Sequence, residues 1–349
     1  MAKIRVAIID DSLFFRTFLF HSLSDNPEFE VAGVYGDPVD ALTHLGEIRP
    51  DVMMVDMEMP KMRGDEFLRT ALPKYPGIRA VVISSLSGNV FDAMHAGAID
   101  FVAKPGAQPG YDITHFTADV IHKIKIASGA SSYARVAAKQ KAAPPIPANT
   151  AKTALTAASP KSLIAIGAST GGTEAILEVI RHFPTDVPGT VIVQHIPPMF
   201  TKMYAERLDK ECLINVREAQ NGDRVVPGTA LVAPGGPCQL RVHTDSKGYY
   251  VRLTEEPKVT GHCPSVDVLF ESVAKTAGRS AVGILLTGMG SDGAHGLAGM
   301  RSAGAHTIGQ DEASCVIYGM PKVAYDIGGV TEQLPLSAIG TAALRRFRG

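Results

Sequence analysis

The stretch Lys3–Ser12, KIRVAIIDDS, decides the fold. Its apolar run from Arg5 to Ile9 reads as a buried strand, and it stops at two adjacent carboxylates, Asp10 and Asp11. The event recurs down the chain. Val31–Tyr35, Val52–Val55, Ala80–Ser84 and Phe101–Ala103 are short β-rich runs separated by helical patterns. Strands alternating with helices in this way predict an α/β unit with a doubly wound parallel sheet. In such a sheet the residues just past the strand carboxyl ends gather at one edge. Here that edge collects Asp10, Asp11, Asp56, Ser84 and Lys104.

Carboxylates placed this close repel one another, and a hard divalent cation is the natural compensation. Mg²⁺ suits an oxygen-ligand site that retains waters and a phosphoryl oxygen. Ser84 and Lys104 are then placed to hold the other phosphoryl oxygens. A lone Asp after a strand is usually a turn former or helix cap. Five such groups at four strand ends point instead to a phosphoryl-accepting pocket.

The chain has 349 residues, more than one core usually organises, so two domains are expected. Its 34 basic and 35 acidic residues leave a net charge of −1, which makes no electrostatic case for nucleic acid. Only Val6–Ile9 separates the N-terminal cations from the aspartates, too little for a signal peptide, and no run reaches membrane-spanning length. A cytoplasmic protein without membrane insertion is expected, and a monomer. Cys212, Cys238, Cys263 and Cys315 are widely spaced, without C-x-x-C pairs, and read as ordinary reduced thiols. From 127 to 160 the composition shifts to Ala, Ser, Thr and Pro, with no acidic residue between Val120 and Lys161, which predicts a flexible linker between domains spanning 1–126 and 161–349.

Strands resume at Leu163–Ile166, Thr190–Val193 and Val282–Leu286, giving a second α/β unit. Between them Ala230–Ala233, Gln239–His243 and Tyr249–Leu253 read as an antiparallel insertion. Ser169 lies in GASTGG, which fits G-x-S-x-G between a strand and a helix, His195 follows TVIVQ, and Asp292 follows LLTGMGS. A serine hydroxyl needs a base to take its proton, and the base needs a carboxylate to orient it. All three candidates project from strand ends of one inferred sheet. The order Ser, His, Asp differs from that of α/β-hydrolases. The blander readings are a core histidine for His195 and, for Asp292, the N-cap of the helix after Gly293. GASTGG could also cradle a phosphate at a helix N-terminus, but it lacks the Walker lysine.

The DD pair, MVDMEMPKMRG around Asp56, the serines at 84 and 85 and FVAKP resemble the receiver domain of bacterial response regulators over about residues 1–125. The resemblance implies a flavodoxin-like fold, Asp56 as phospho-acceptor, Asp10 and Asp11 with Asp56 as Mg²⁺ ligands, Ser84 and Lys104 on the phosphoryl group, and Phe101 at the aromatic switch position. From about Ser162 onward, SLIAIGASTGGTEA, VIVQHIPPMFT, GHCPSVDVLF and GILLTGMGSDGAHG resemble the catalytic domain of the CheB family of chemotaxis methylesterases and deamidases. That implies a Rossmann-like second domain with no cofactor, Ser169 as nucleophile, His195 as general base and Asp292 as its orienting acid. Thr170 and the backbone amide of Met289 take the oxyanion-stabilising roles. Cys263 stands where the family pattern HRPSVD has Arg. The implied partners are methyl-accepting chemotaxis receptors as substrate and a chemotaxis histidine kinase as phosphodonor, with phosphorylation relieving inhibition by the receiver.

Two other classes compete. A DNA-binding transcriptional output does not fit, because the second half is too large and carries neither a helix-turn-helix pattern nor a basic recognition helix. A catalytically dead adaptor is disfavoured by the intact Ser169, His195 and Asp292.

Overall fold

The computed structural model describes residues 2–85, 90–106, 111–131 and 161–347. The chain divides into two compact units, Met1–Ala138 and Lys139–Gly349.

In the first unit five parallel strands, β1 (Ile4–Ile9), β2 (Phe29–Tyr35), β3 (Val52–Asp56), β4 (Arg79–Ser84) and β5 (Asp100–Ala103), lie in the order β2-β1-β3-β4-β5. The connecting helices are α1 (Leu13–Ser24), α2 (Pro38–Ile48), α3 (Gly64–Lys74), α4 (Val90–His95) and α5 (Ile113–Gly129). Helices cover both faces of the sheet and bury the runs Val6–Ile9 and Val52–Val55, while the edge strand β2 stays partly exposed. Register then fixes the edge. Ile9 pairs with Val55, Asp56 with Ile83, and Ser84 with Ala103, so Asp10, Asp56, Ser84 and Lys104 follow one another across neighbouring strand ends.

Most of the segment read as a linker lies outside the described residues, but its start differs from the expectation. Residues 127–129 belong to α5. No proline interrupts the helix there, and Ile126 and Ala127 are buried, so packing carries it past the change in composition.

In the second unit seven strands form one parallel sheet: β6 (Leu163–Ala168), β7 (Gly189–Gln194), β8 (Asn215–Glu218), β9 (Thr229–Val232), β12 (Ala281–Leu285), β13 (His306–Gln310) and β14 (Glu332–Leu334). Their order is β14-β13-β12-β6-β7-β9-β8. The chain starts at β6, winds outward through β7 to β9 and β8, and returns to β12 on the other side of β6. The topological switch therefore flanks β6, where open α/β sheets place their sites. The hairpin β10 (Cys238–Asp245) and β11 (Gly248–Glu255) is antiparallel and separate from the main sheet. The expected three-stranded insertion is corrected accordingly: Thr229–Val232 pairs in parallel with β7 and β8 and is part of the main sheet. The hairpin contributes Leu240, Val242 and Val251 to the core beside α8 (Val266–Thr276), which comes after α6 (Gly172–Ile180) and α7 (Pro198–Glu211) in the chain. All four cysteines are free. No described helix is long and apolar enough to cross a membrane.

Candidate active site and phosphoryl pocket

Asp10 and Asp56 are fully buried at the carboxyl ends of β1 and β3. Asp10 Oδ1 accepts the Ser12 amide at 2.8 Å, and Lys104 Nζ lies 2.8 Å from Asp56 Oδ2 and 3.6 Å from Asp10 Oδ2. One lysine cannot neutralise two buried carboxylates. Burial raises the Asp56 pKa from 3.8 to about 6 against the Lys104 hydrogen bond, with Asp10 adding to the rise. Asp10 is raised as well, by burial first, despite Lys104. Asp10 Oδ2 and Asp56 Oδ1 are buried without a hydrogen-bond partner among the described residues. Orphaned anionic oxygens are costly. With exposed Asp11, the three carboxylates offer oxygens within 4.8 Å of one another, a donor set that fits a hard divalent cation such as Mg²⁺. Ser84 is buried at the end of β4, and Lys104 is aligned by its backbone amide on the Ser84 carbonyl at 2.8 Å. Phe101 is buried and packs edge-on against Phe91.

Ser169 follows β6 in a tight turn into α6 (Gly172–Ile180). Gly171 takes a left-handed φ of 76°, which a side chain would strain, and a Cβ on Gly172 would lie 2.1 Å from Gln194 Oε1. The turn thus requires the paired glycines Gly171 and Gly172. The His195 amide bonds the Ala168 carbonyl at 3.2 Å, which sets the end of β7 beside Ser169. Gln194 braces the junction, its Nε2 donating to the carbonyls of Ser169 at 2.9 Å and His195 at 3.2 Å.

His195 Nε2 and Asp292 Oδ2 are 2.9 Å apart. Asp292 is 1% exposed and also accepts from Ser265 Oγ (2.7 Å) and from the amides of Val266 (2.8 Å) and Asp267 (3.1 Å). Those amides open α8, so the carboxylate sits at a helix N-terminus. Burial opposes its charge, but His195, the Ser265 hydroxyl and the Val266 amide outweigh it and hold the carboxyl well below the usual range. Asp292 therefore caps a helix, though a different one from the helix expected from its position in the sequence. With Nε2 on Asp292, the other ring nitrogen, Nδ1, is buried without a partner among the described residues. No described hydrogen bond joins Ser169 Oγ to His195; such contacts commonly tighten only with substrate bound.

The Thr287–Gly290 loop packs on Ser169. The Ser169 amide donates to the Thr287 carbonyl at 3.0 Å, and a Cβ on Gly288 would lie 2.7 Å from Ser169 Cβ. Met289 is half exposed beside it, and its amide has no partner among the described residues. Thr170 is buried, its carbonyl accepting from Thr287 Oγ1 at 3.0 Å.

Sequence reading gave no role to Gln194, Ser265 or His262, although they lie within the quoted VIVQHIPPMFT and GHCPSVDVLF motifs; the His262 ring stacks on His195 with centroids 3.8 Å apart and planes 4° from parallel. Burial, then the His195 charge, pushes the His262 imidazole down to about 4. His195, His262 and Asp292 offer possible metal-ligand atoms within 4.8 Å. Imidazole lone pairs lie in the ring plane, however, so two near-parallel rings direct them side by side rather than at a common point. The geometry is that of a ring stack.

Residues 164–343 match the CheB methylesterase family, and residues 6–110 match the response regulator receiver domain. The chain is 51% identical to protein-glutamate methylesterase/protein-glutamine glutaminase 2 of Syntrophomonas wolfei over 98% of its length and 97% of that protein. It is 42% identical to protein-glutamate methylesterase/protein-glutamine glutaminase of Salmonella typhimurium, covering 99% of this chain and 98% of the other. The crystal structure of the Thermotoga maritima CheB methylesterase catalytic domain superposes with a TM-score of 0.51 at 32% identity, covering 53% of this chain and 97% of that one. With a family match over residues 164–343 and relatives aligned over nearly their whole length, the chain belongs to the CheB methylesterase family, with a response regulator receiver domain ahead of the methylesterase domain.

Proposed function

We propose that this chain is a phosphorylation-controlled serine hydrolase that demethylates glutamate methyl esters and deamidates glutamines on methyl-accepting chemotaxis receptors in the cytoplasm. The observation that carries the reading is the His195–Asp292 pair. One imidazole nitrogen is held by a saturated buried carboxylate, and the other is left without a partner at the end of the strand beside Ser169.

On this reading Nδ1 of His195 takes the Ser169 proton as Oγ attacks the ester carbonyl. The tetrahedral oxyanion is held by the Met289 amide and Thr170. Collapse breaks the carbon–oxygen bond, His195 returns the proton, and methanol leaves. Water then attacks the acyl-enzyme, His195 again taking the proton, and the free glutamate carboxylate and Ser169 hydroxyl are regenerated. A glutamine side chain loses ammonia by the same route. Asp292 stays ionised and supports the imidazolium.

In the first domain the Asp56 carboxylate is the phosphoryl acceptor, with a chemotaxis histidine kinase as donor. Asp10, Asp11 and Asp56 would hold Mg²⁺, which supplies charge neutralisation for the incoming phosphoryl group. Lys104 and Ser84 contact the remaining phosphoryl oxygens. The domains are taken as 1–126 and 161–349, with phosphorylation relieving inhibition of the second by the first. The hydrolase half is tested by methanol release from methylated receptor membranes. Ser169→Ala should fold and lose several orders of magnitude in rate. Substantial release by that variant would exclude the serine mechanism.

A further inference from the structure

We propose that His262 is a positioning residue for the esterase reaction, holding the His195 ring by face-to-face stacking so that Nδ1 is presented to Ser169; the inference rests on the Ser169–His195–Asp292 reading above. A hydrogen bond to Asp292 at one edge fixes where the His195 imidazole sits but leaves it free to rock about that bond. A second ring 3.8 Å away and 4° from parallel removes that freedom.

His262 is itself held firmly. Its amide and carbonyl pair with Val259 at 2.9 and 3.0 Å, and its carbonyl accepts from Gln239 Nε2 at 3.3 Å. Gln239 Oε1 in turn accepts the Ser265 amide at 2.7 Å, and Ser265 Oγ bonds Asp292 at 2.7 Å. One segment, His262–Asp267, therefore grips both partners of the pair: its imidazole lies on the face of His195, and its hydroxyl and amides saturate Asp292. His262 Nδ1 is buried with no partner among the described residues. The structure therefore uses the face of this ring rather than that nitrogen. With its pKa near 4 the ring is neutral at neutral pH, and a neutral π face favours the imidazolium that His195 becomes once it holds the serine proton.

The test is the rate at which a fluorophosphonate, a generic serine-directed reagent, labels the full-length chain, followed by intact mass with melting temperatures as a folding control. The native chain should label and Ser169→Ala should not. His262→Ala should label about 10- to 100-fold more slowly, the scale set by a misplaced catalytic group. His262→Phe, which keeps a flat π face without nitrogens, should recover to within about 3-fold of native, whereas His262→Leu, with bulk alone, should stay slow. If His262→Ala fails to fold, the Phe and Leu variants decide. Native labelling by His262→Ala, or His262→Phe no faster than His262→Leu, would overturn the stacking role. Labelling of Ser169→Ala at the native rate would instead overturn the nucleophile assignment.

Discussion

Asp292 accepts four hydrogen bonds while buried, and these donors keep it charged at the point where a neighbouring imidazole must be oriented. Asp292→Asn would turn a donor toward at least one of those donors. Turnover should fall by about 10⁴, and stability by about 1–3 kcal/mol, read from methanol release and urea unfolding. Because folding lowers this pKa below 3.8, its contribution to stability is present above about pH 4 and is lost as pH falls further. Asp56 behaves oppositely. Its pKa rises from 3.8 to about 6 on folding, so the folded unit gains from protonation at low pH and loses that gain as pH rises through 6. At pH 7.5 the ionised carboxylate weakens the receiver by up to about 3 kcal/mol. Asp56→Asn should therefore raise the receiver melting temperature in the absence of Mg²⁺. Added Mg²⁺ should stabilise the native chain more at pH 7.5 than at pH 5; equal stabilisation at both would separate the cation from these carboxylates. Asp10, Asp56, Ser84 and Lys104 were legible in the sequence because each follows or ends a short apolar run. His262 was not, since its stack on His195 is a tertiary contact that no local pattern encodes.

Among the elements, the turn from β6 into α6 has little room. A Cβ at Gly172 would lie 2.1 Å from Gln194 Oε1 and 2.6 Å from Ala168 Cβ. Gln194 joins the segment that carries Ser169 to the one that carries His195, so Gly172→Ala should reduce stability by about 2–3 kcal/mol and activity by roughly 10-fold or more. Unchanged urea unfolding and unchanged methanol release would contradict this role. The long apolar strands were evident in the sequence, but β8, β13 and β14 were not. Asn215–Glu218 carries charge on an edge strand, His306–Gln310 buries polar residues among its apolar ones, and Glu332–Leu334 has three residues. Each is a strand because a neighbour pairs with it rather than because its own pattern demands it. The same dependence moved Thr229–Val232 from the expected insertion into the main sheet.

At the scale of the whole molecule, two compact units with separate cores carry separate chemistries, and the composition shift between them was visible as soon as the sequence was read. If the unphosphorylated receiver restrains the esterase, a chain starting near Lys161 should release methanol faster than the unphosphorylated full chain. A tenfold difference corresponds to about 1.4 kcal/mol of coupling. A slower truncated enzyme would rule out inhibition by the receiver. The most direct test joins both halves: methanol release from methylated receptor membranes by the full chain, with and without Mg²⁺ and a small phosphodonor, beside Asp56→Asn and Ser169→Ala. Release should rise with the donor in the native chain, stay at the basal level in Asp56→Asn and vanish in Ser169→Ala. A donor response that survives in Asp56→Asn, or release that survives in Ser169→Ala, would contradict a phosphorylation-controlled serine esterase.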